Sequence, residues 1–152
     1  MADIRHQARM EADQQKTYEA LTRAQGIRSW WTDNADLDEY LGGTGTFRFH
    51  YNQTVETIVR IINLQEPVLV CWAVTSSFRP EQNGTVITFE LSLEGNSTLL
   101  NFSQTGFAGE DETFKLMDTG WAYYLVSLKR YLETGKGAPS PNIDFSIMTN
   151  NT

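Results

Sequence analysis

Few side chains in this sequence have the type and spacing that covalent or metal chemistry needs. The two histidines, His6 and His50, are far apart, and no cluster of His, Cys, Asp and Glu has the spacing of metal ligands. Cys71 lies inside the apolar run VLVCWAV with no base beside it, which favours a buried structural thiol over a nucleophile. The serines lack a G-x-S-x-G pattern, and the GGTG segment at residues 42–45 lacks the lysine of a phosphate-binding loop. We therefore expect neither a metal nor a cofactor.

Gln104 and Asp118 are the polar residues best placed to face an interior space. Gln104 follows Phe102 at the two-residue spacing of a strand, so both side chains should point inward. There Gln104 would orient a bound ligand, although a buried glutamine bonded to the backbone explains the pattern equally well. Asp118 follows Met117 on a predicted helix, where it could act in acid–base catalysis with a second carboxylate. Solvation near the start of that helix is the simpler interpretation of Asp118.

Glu56 and Arg60 are candidates whose orientation depends on one turn. If Asn52 and Gln53 form a two-residue hairpin turn, Glu56 and Arg60 share a face with Phe47. Either charged residue would then meet a ligand on that face. A loop one residue longer reverses the two faces, and an outward position is the more common one for Glu and Arg.

Alternation of apolar and polar residues predicts six strands. They lie at residues 3–10, 47–51, 54–64, 68–74, 85–93 and 97–107. Two short helices follow the first strand, one capped by Asp13 and ending near Leu21 and one reaching Trp31. The polar, glycine-rich stretch DNADLDEYLGGTG then leads as a loop into the second strand. Five consecutive antiparallel strands therefore follow the short helices.

The clearest element is a long helix from Glu112 to Glu133. Apolar residues recur there at spacings of three and four, acidic residues precede it, and Gly135 and Pro139 end it. At about 20 residues this helix is about 30 Å long, enough to cross a curved sheet. The order of elements predicts an α+β fold in which a curved six-stranded antiparallel sheet wraps around the helix.

Four segments in a fixed order carry a family resemblance. They are YEALTRAQGIRSWW (18–31), PVLVCW (67–72), TLLNFSQTGF (98–107) and GWAYYLVSLKRYLETGKGAP (120–139). These segments resemble the helix-grip, START-like superfamily (SRPBCC, Bet v 1-like), and within it the homologues of the activator of heat shock protein 90 ATPase. The resemblance implies one domain over residues 1–139 and a C-terminal tail over residues 140–152. The position of Gln104 is often histidine in such relatives, which weakens a role in proton transfer there.

A sheet that grips a helix leaves a space between them, and this space is the predicted site. Such cavities are mostly apolar, with a few polar groups that orient the ligand. For each aromatic residue, ordinary core packing is the alternative. The candidate lining residues are Trp31, Phe47, Phe49, Trp72, Phe89, Phe102, Gln104, Phe114, Met117 and Trp121.

Three functions remain open at this stage. The first is non-enzymatic binding of a small hydrophobic or aromatic ligand in the cavity. The second is a chaperone-associated interaction module, which the family resemblance implies, with surface acids such as Asp36 and Glu39 taking part. The third is an enzyme of the cyclase or hydrolase kind that uses the same cavity.

Composition narrows the partners and the location. The 152 residues include 12 Lys and Arg against 19 Asp and Glu, a net charge of −7 that would repel nucleic acid. No run approaches the ~20 apolar residues of a membrane span, and the first residues lack the apolar stretch of a signal peptide. We expect a cytoplasmic protein, monomeric or weakly homodimeric, whose partner is a small apolar ligand or a chaperone.

Overall fold

A computed structural model of the chain describes residues 1–149. The elements are β1 (Ala2–Met10), α1 (Gln14–Thr22), α2 (Ala24–Trp30), β2 (Asn34–Leu37), β3 (Thr44–Tyr51), β4 (Gln53–Gln65), β5 (Leu69–Ser77), β6 (Val86–Glu94), β7 (Ser97–Phe107), α3 (Glu112–Thr134) and α4 (Ser146–Thr149). The strands form one antiparallel sheet in the order β1-β7-β6-β5-β4-β3-β2. This is the predicted α+β arrangement of an antiparallel sheet with a long C-terminal helix.

Helix α3 has the ends that its sequence predicts. The Asp111 side chain accepts a hydrogen bond from the Phe114 backbone N–H at 2.9 Å, and Gly135 ends the helix in the left-handed region at φ 86°. Between these ends, Trp121, Leu125 and Leu128 are buried in the main core. Within residues 1–149, no helix has both the length and the apolar character to cross a membrane.

The sheet has a seventh strand, β2, where a loop was predicted. Asn and Asp are unfavourable strand residues, so the four residues of β2 carry no strand signal of their own. Pairing with β3 supplies the missing stabilisation, since the Arg48 side chain contacts Asn34 Oδ1 at 3.2 Å and Asp36 Oδ2 at 3.0 Å. The count of six strands was therefore wrong, because an edge strand was set by tertiary contacts.

The turn between β3 and β4 is shorter than the predicted one. Tyr51 pairs with Gln53, and Asn52 alone makes the turn with φ 65°. Arg48 consequently lies opposite Glu56 on the outer face of the sheet, with its Nε 3.5 Å from Glu56 Oε2. The alternative in which Glu56 shares the face of the strand's aromatic residues is excluded, and the outward position, the more common one for Glu, is confirmed.

This shift reverses the face of the β4 side chains relative to β3, because neighbouring side chains on a strand point to opposite sides. Phe47 lies opposite Thr57, and Phe49 lies opposite Val55, so these four side chains share the inner face. Arg60, opposite Thr44, is exposed. Thr57 thus takes an inner position that a two-residue turn would have given to a charged residue.

The C-terminal tail packs against the domain through residue 149. The Ser140 backbone N–H donates to the Trp31 carbonyl at 2.9 Å, and the Asp33 N–H donates to the Ser140 carbonyl at 3.0 Å. The Tyr123 hydroxyl donates to the Ala138 carbonyl at 2.6 Å and accepts from the Asp144 N–H at 2.9 Å. These contacts place the tail across one end of the space between α3 and the sheet. The last residues of the predicted tail, 150–152, lie outside the described residues.

Candidate ligand cavity

A cavity of about 320 Å³ lies between the inner face of the sheet and the first half of α3. The sheet contributes Phe49, Thr57 and Ile87, and α3 contributes several residues of one face. The tail closes one side through Pro141, Ile143 and Phe145. The full lining is Trp31, Phe49, His50, Tyr51, Thr57, Phe78, Gln82, Ile87, Leu116, Met117, Thr119, Gly120, Trp121, Tyr123, Tyr124, Ser140, Pro141, Ile143 and Phe145.

One face of α3 forms the helical wall. Met117, Gly120, Trp121 and Tyr124 follow one another at spacings of three, one and three residues, so they lie on the same side of the helix. Gly120 leaves room in this wall, because a Cβ atom built there would have no neighbouring heavy atom within 4 Å. The wall is therefore indented at Gly120.

Four of the ten predicted site residues line the cavity: Trp31, Phe49, Met117 and Trp121. The rings of Trp31 and Trp121 contact each other, with centroids 4.9 Å apart. The contact between the two indoles joins α3, which carries Trp121, to the end of α2, which Trp31 follows.

The other five predicted hydrophobic residues pack behind or beside this wall. Phe47 lies against Trp31 with centroids 4.3 Å apart, and Trp72 stacks on the same indole at 6.0 Å. Phe102 packs on Trp121 at 4.4 Å, and Phe89 contacts Trp72 at 5.2 Å. These residues support the cavity as part of the core and are absent from its lining.

Phe114 is the fifth, and it lies near the start of α3. Its ring meets the ring of Phe107 edge to face, with centroids 5.3 Å apart. This pair anchors the first turn of α3 to the end of β7, outside the cavity lining.

Gln104, the predicted polar cavity residue, is fully buried and its amide has partners on both sides. Its Oε1 accepts from the Trp121 indole N–H at 2.9 Å. Its Nε2 donates to Gln82 Oε1 and to Thr85 Oγ1, each at 3.0 Å. The amide is therefore used within the protein, and its place is behind Trp121 rather than in the lining.

The candidate carboxylates lie away from the cavity. Asp118 Oδ1 is 2.8 Å from His6 Nε2, beside β1, and Glu56 is on the outer face of the sheet. Among residues 1–149, the lining contains no Asp or Glu, and no three potential ligand side chains come close enough to hold a metal ion. Acid–base chemistry in this cavity would have to use His50 or the tyrosines.

The predicted partner-facing acids make internal contacts. Asp36 pairs with Arg48 at 3.0 Å and with Arg28 at 3.9 Å. Glu39 accepts a hydrogen bond from the Ala24 backbone N–H at 2.9 Å, at the start of α2. These two acids therefore stabilise the β2 region of the chain.

Two tyrosines give the cavity neutral polar groups. Burial raises the pKa of Tyr124, and the nearby Tyr51 and Tyr123 raise it further, while Ser140 acts in the opposite direction. Burial also raises the pKa of Tyr51, against the lowering effect of Arg79. Both phenols are uncharged at neutral pH, as in any tyrosine, and their raised pKa values extend this form to higher pH.

Sequence reasoning missed most residues around the mouth of the cavity. Tyr124 follows Met117 by seven residues, so the helical spacing alone could have identified it. Thr57 was missed because the assumed two-residue turn at Asn52 and Gln53 places its side chain on the outer face of the sheet. The tail residues Ile143 and Phe145 carry no local signal of a site, because their position depends on how the tail folds back.

Comparisons with known proteins agree with this architecture. A family model described as Activator of Hsp90 ATPase homolog 1-like protein matches residues 11–133. The solution structure of the Aha1 dimer from Colwellia psychrerythraea is similar at 31% identity and a TM-score of 0.78, covering 90% of this chain and 100% of that one. Among curated proteins, no significant match was found.

Two more distant structures share the fold. Protein SSP2350 from Staphylococcus saprophyticus is 21% identical, with a TM-score of 0.72, and the match covers 90% of this chain and 95% of that one. CalU16 from Micromonospora echinospora is 17% identical, with a TM-score of 0.73, over 94% of this chain and 70% of that one. The family match spans most of the chain, from α1 to the end of α3, and so the chain belongs to the family of Activator of Hsp90 ATPase homolog 1-like proteins.

Proposed function

We propose that this protein binds a small hydrophobic or aromatic molecule in the cavity between the sheet and α3, without catalysing a reaction on it. The observation that carries the proposal is a partly open cavity of about 320 Å³ between the sheet and α3, lined mainly by aromatic and aliphatic side chains. A volume of this size falls in the range of small-molecule sites, which begins at about 300 Å³.

The composition of the wall indicates the class of ligand. The indoles of Trp31 and Trp121 and the ring of Phe49 offer flat apolar surface, and Met117 adds a flexible thioether. No carboxylate of the described residues contributes to the lining, and the phenols of Tyr51 and Tyr124 are uncharged at neutral pH. These features favour an uncharged aromatic ligand.

Filling the cavity from Gly120 tests the proposal without removing any packed side chain. Gly120→Leu places an isobutyl group where a Cβ has open space, and Gly120→Ala is the matched control with a single methyl. The probe is fluorene, an uncharged aromatic hydrocarbon, and its binding is measured by isothermal titration calorimetry.

We expect fluorene to bind the wild type and Gly120→Ala, and Gly120→Leu to lose binding by at least about tenfold, or 1.4 kcal/mol. Thermal unfolding should show that Gly120→Leu remains folded, because leucine also has a higher helix propensity than glycine. Equal binding by all three proteins would place the ligand elsewhere. Failure of the wild type to bind either fluorene or its ketone, 9-fluorenone, would contradict the proposed function.

Family membership supports a second candidate, a chaperone-associated module. The matching family model is named for activators of the Hsp90 ATPase. The test is the ATPase rate of a heat shock protein 90 chaperone with and without equimolar protein. An increased rate would support this candidate, and the Gly120→Leu variant would show whether the cavity takes part. An unchanged ATPase rate would reject the chaperone-associated module and leave ligand binding as the remaining candidate.

Oligomeric state and location complete the proposal. The similar Colwellia protein is described as a dimer, and for this chain we propose a monomer or a weak homodimer in the cytoplasm. Light scattering over a hundredfold concentration range measures the oligomeric state directly. A mass that stays at that of a tight dimer throughout the range would contradict the proposal.

A further inference from the structure

A chain of hydrogen bonds runs behind the cavity and joins lining residues on α3 and on the sheet. It starts at Trp121, passes through Gln104 and Gln82, continues to Ser77 and ends at Thr57. Thr57 lines the cavity, and only 5% of its surface is exposed. The direction in which these groups donate decides what the Thr57 hydroxyl can offer to a ligand.

The indole of Trp121 fixes that direction, because an indole N–H can only donate. Its partner at 2.9 Å must therefore be the oxygen of the Gln104 amide, which leaves the Gln104 NH₂ group facing Gln82. Since an NH₂ group also only donates, the Gln82 oxygen must face Gln104. The Gln82 NH₂ group is consequently the one directed at Ser77 Oγ, 2.9 Å away.

The hydrogen bonds that Ser77 accepts determine whether it can also accept one from Thr57. A hydroxyl oxygen accepts at most two hydrogen bonds, and Ser77 Oγ already accepts from Gln82 Nε2 and from the Arg79 backbone N–H at 3.0 Å. Ser77 Oγ therefore cannot also accept from Thr57, and their long 3.4 Å contact leaves Ser77 as the donor of the pair. The hydrogen of the Thr57 hydroxyl then has no acceptor among the protein groups of residues 1–149, and it is available to the cavity.

We infer that Thr57 is a specificity-determining residue that presents a hydrogen-bond donor to the ligand. This inference rests on the proposed function and names the ligand class more closely: a flat apolar molecule with a hydrogen-bond acceptor, such as an aromatic ketone. A ligand without an acceptor leaves a buried hydroxyl hydrogen unpaired, which is costly. The bare hydrocarbon and the ketone of the same ring system therefore differ in affinity.

The test compares fluorene with 9-fluorenone, which has the same three rings and one added carbonyl, by calorimetry on the folded protein. The wild type should bind 9-fluorenone about tenfold more tightly than fluorene, as expected of one satisfied buried hydrogen bond. Thr57→Val, which keeps the shape and removes the hydroxyl, should bring the two affinities together. Thr57→Ser, which keeps the hydroxyl, should preserve the preference.

A second variant reverses the donor–acceptor direction of the hydrogen bonds that lead to Thr57 and keeps Thr57 itself unchanged. In Gln82→Glu at pH 8, the carboxylate accepts from Gln104 and also from Ser77, so Ser77 can accept the hydrogen of Thr57. Thr57 then presents an acceptor, and 9-hydroxyfluorene should bind more tightly than 9-fluorenone. A purely structural role of Gln82 would weaken all three probes equally.

The outcomes separate the two proposals. Equal affinities of fluorene and 9-fluorenone for the wild type would overturn the role of Thr57 while the ligand-binding function stands. A ketone preference that survives in Thr57→Val would also overturn it. Failure of both probes to bind the wild type would overturn this inference together with the proposed function.

Discussion

The two ends of the space between α3 and the sheet differ in how they are filled. Toward the C-terminal end of α3, Leu128 and Leu132 belong to the main core, and Leu128 has no exposed surface. The open groove of about 650 Å³ beside that end is lined mainly by polar and charged side chains. Toward the N-terminal end, Gly120 leaves the helix surface indented and a cavity takes the place of side chains. One helix therefore serves as a core element over half of its length and as a cavity wall over the other half.

This difference indicates that the cavity depends on residue size along a single helical face. Both halves use the same spacing of three and four residues, so periodicity alone does not distinguish them. A glycine with open space beside its Cα, together with tail residues along one side, produces the cavity. Variants at the two ends should therefore affect stability and ligand binding separately.

The largest expected effect is on stability at the packed end. Leu128→Ala should lower the free energy of unfolding by about 2–5 kcal/mol, because it leaves a hole in a closed core. Urea denaturation measures this change. Leu116→Ala, at a half-exposed residue of the cavity wall, is the control and should cost much less. Similar losses for the two variants would remove the distinction between packed end and cavity end.

The next effect concerns the tail. Tyr123→Phe removes the hydroxyl that bonds Ala138 and Asp144, so it should cost about 1–2 kcal/mol and loosen the wall that the tail supplies. Limited proteolysis should then cut between residues 140 and 149, and fluorene affinity should fall. Tyr131→Phe, near the packed end of α3, is the matched control. Unchanged proteolysis and affinity in Tyr123→Phe would show that these bonds do not hold the tail.

A smaller and opposite effect is expected at the two glycines of α3. Gly120→Ala should stabilise the protein by about 1 kcal/mol, since alanine has the higher helix propensity and the added methyl has space. Gly135→Ala should destabilise it, because Gly135 ends the helix at φ 86°. Thermal unfolding compares the two variants. A loss of stability in Gly120→Ala would contradict the open space at Gly120, because it would mean that the added methyl group meets other atoms.

The smallest effect at neutral pH is predicted for Tyr124, whose pKa is raised mainly by burial. The folded protein keeps this proton at a pH where the unfolded chain releases it, so stability is complete below about pH 10, the ordinary tyrosine pKa, and falls above it. Tyr124→Phe should reduce this alkaline loss, measured by denaturation between pH 8 and 11. Tyr40→Phe, on an exposed side chain, is the control. An identical alkaline loss in Tyr124→Phe and wild type would contradict the burial of this phenol.

The sequence predicted the elements better than the site. Helix α3, its caps and the six longer strands follow from local spacing and from Asp111 and Gly135, which act within a few residues. Strand β2 and the one-residue turn at Asn52 escaped prediction, because pairing with β3 and β4 decides them. Local patterns therefore gave the fold.

The cavity residues were harder to predict, since an inward-facing aromatic side chain packs or lines a space according to its neighbours. Trp31 and Trp121 line the cavity while Phe89 and Phe102 support it from behind, yet all four have the same inward pattern. Gln104 was correctly expected to be inward, but its partners come from Gln82 and Trp121, distant in sequence. The neighbouring sequence does not show whether a buried glutamine bonds to a ligand or, as Gln104 does, only to other side chains of the protein.

The most direct test of ligand binding at the cavity end uses the methionine methyl groups. Met117 lines the cavity, whereas Met10 is fully buried in the packed core. In a protein labelled with ¹³C at the methionine methyls, a titration with 9-fluorenone should shift the Met117 resonance and leave Met10 in place. A Met117 resonance that stays unchanged at saturating 9-fluorenone, or a shift confined to the exposed Met1 and Met148, would contradict the account.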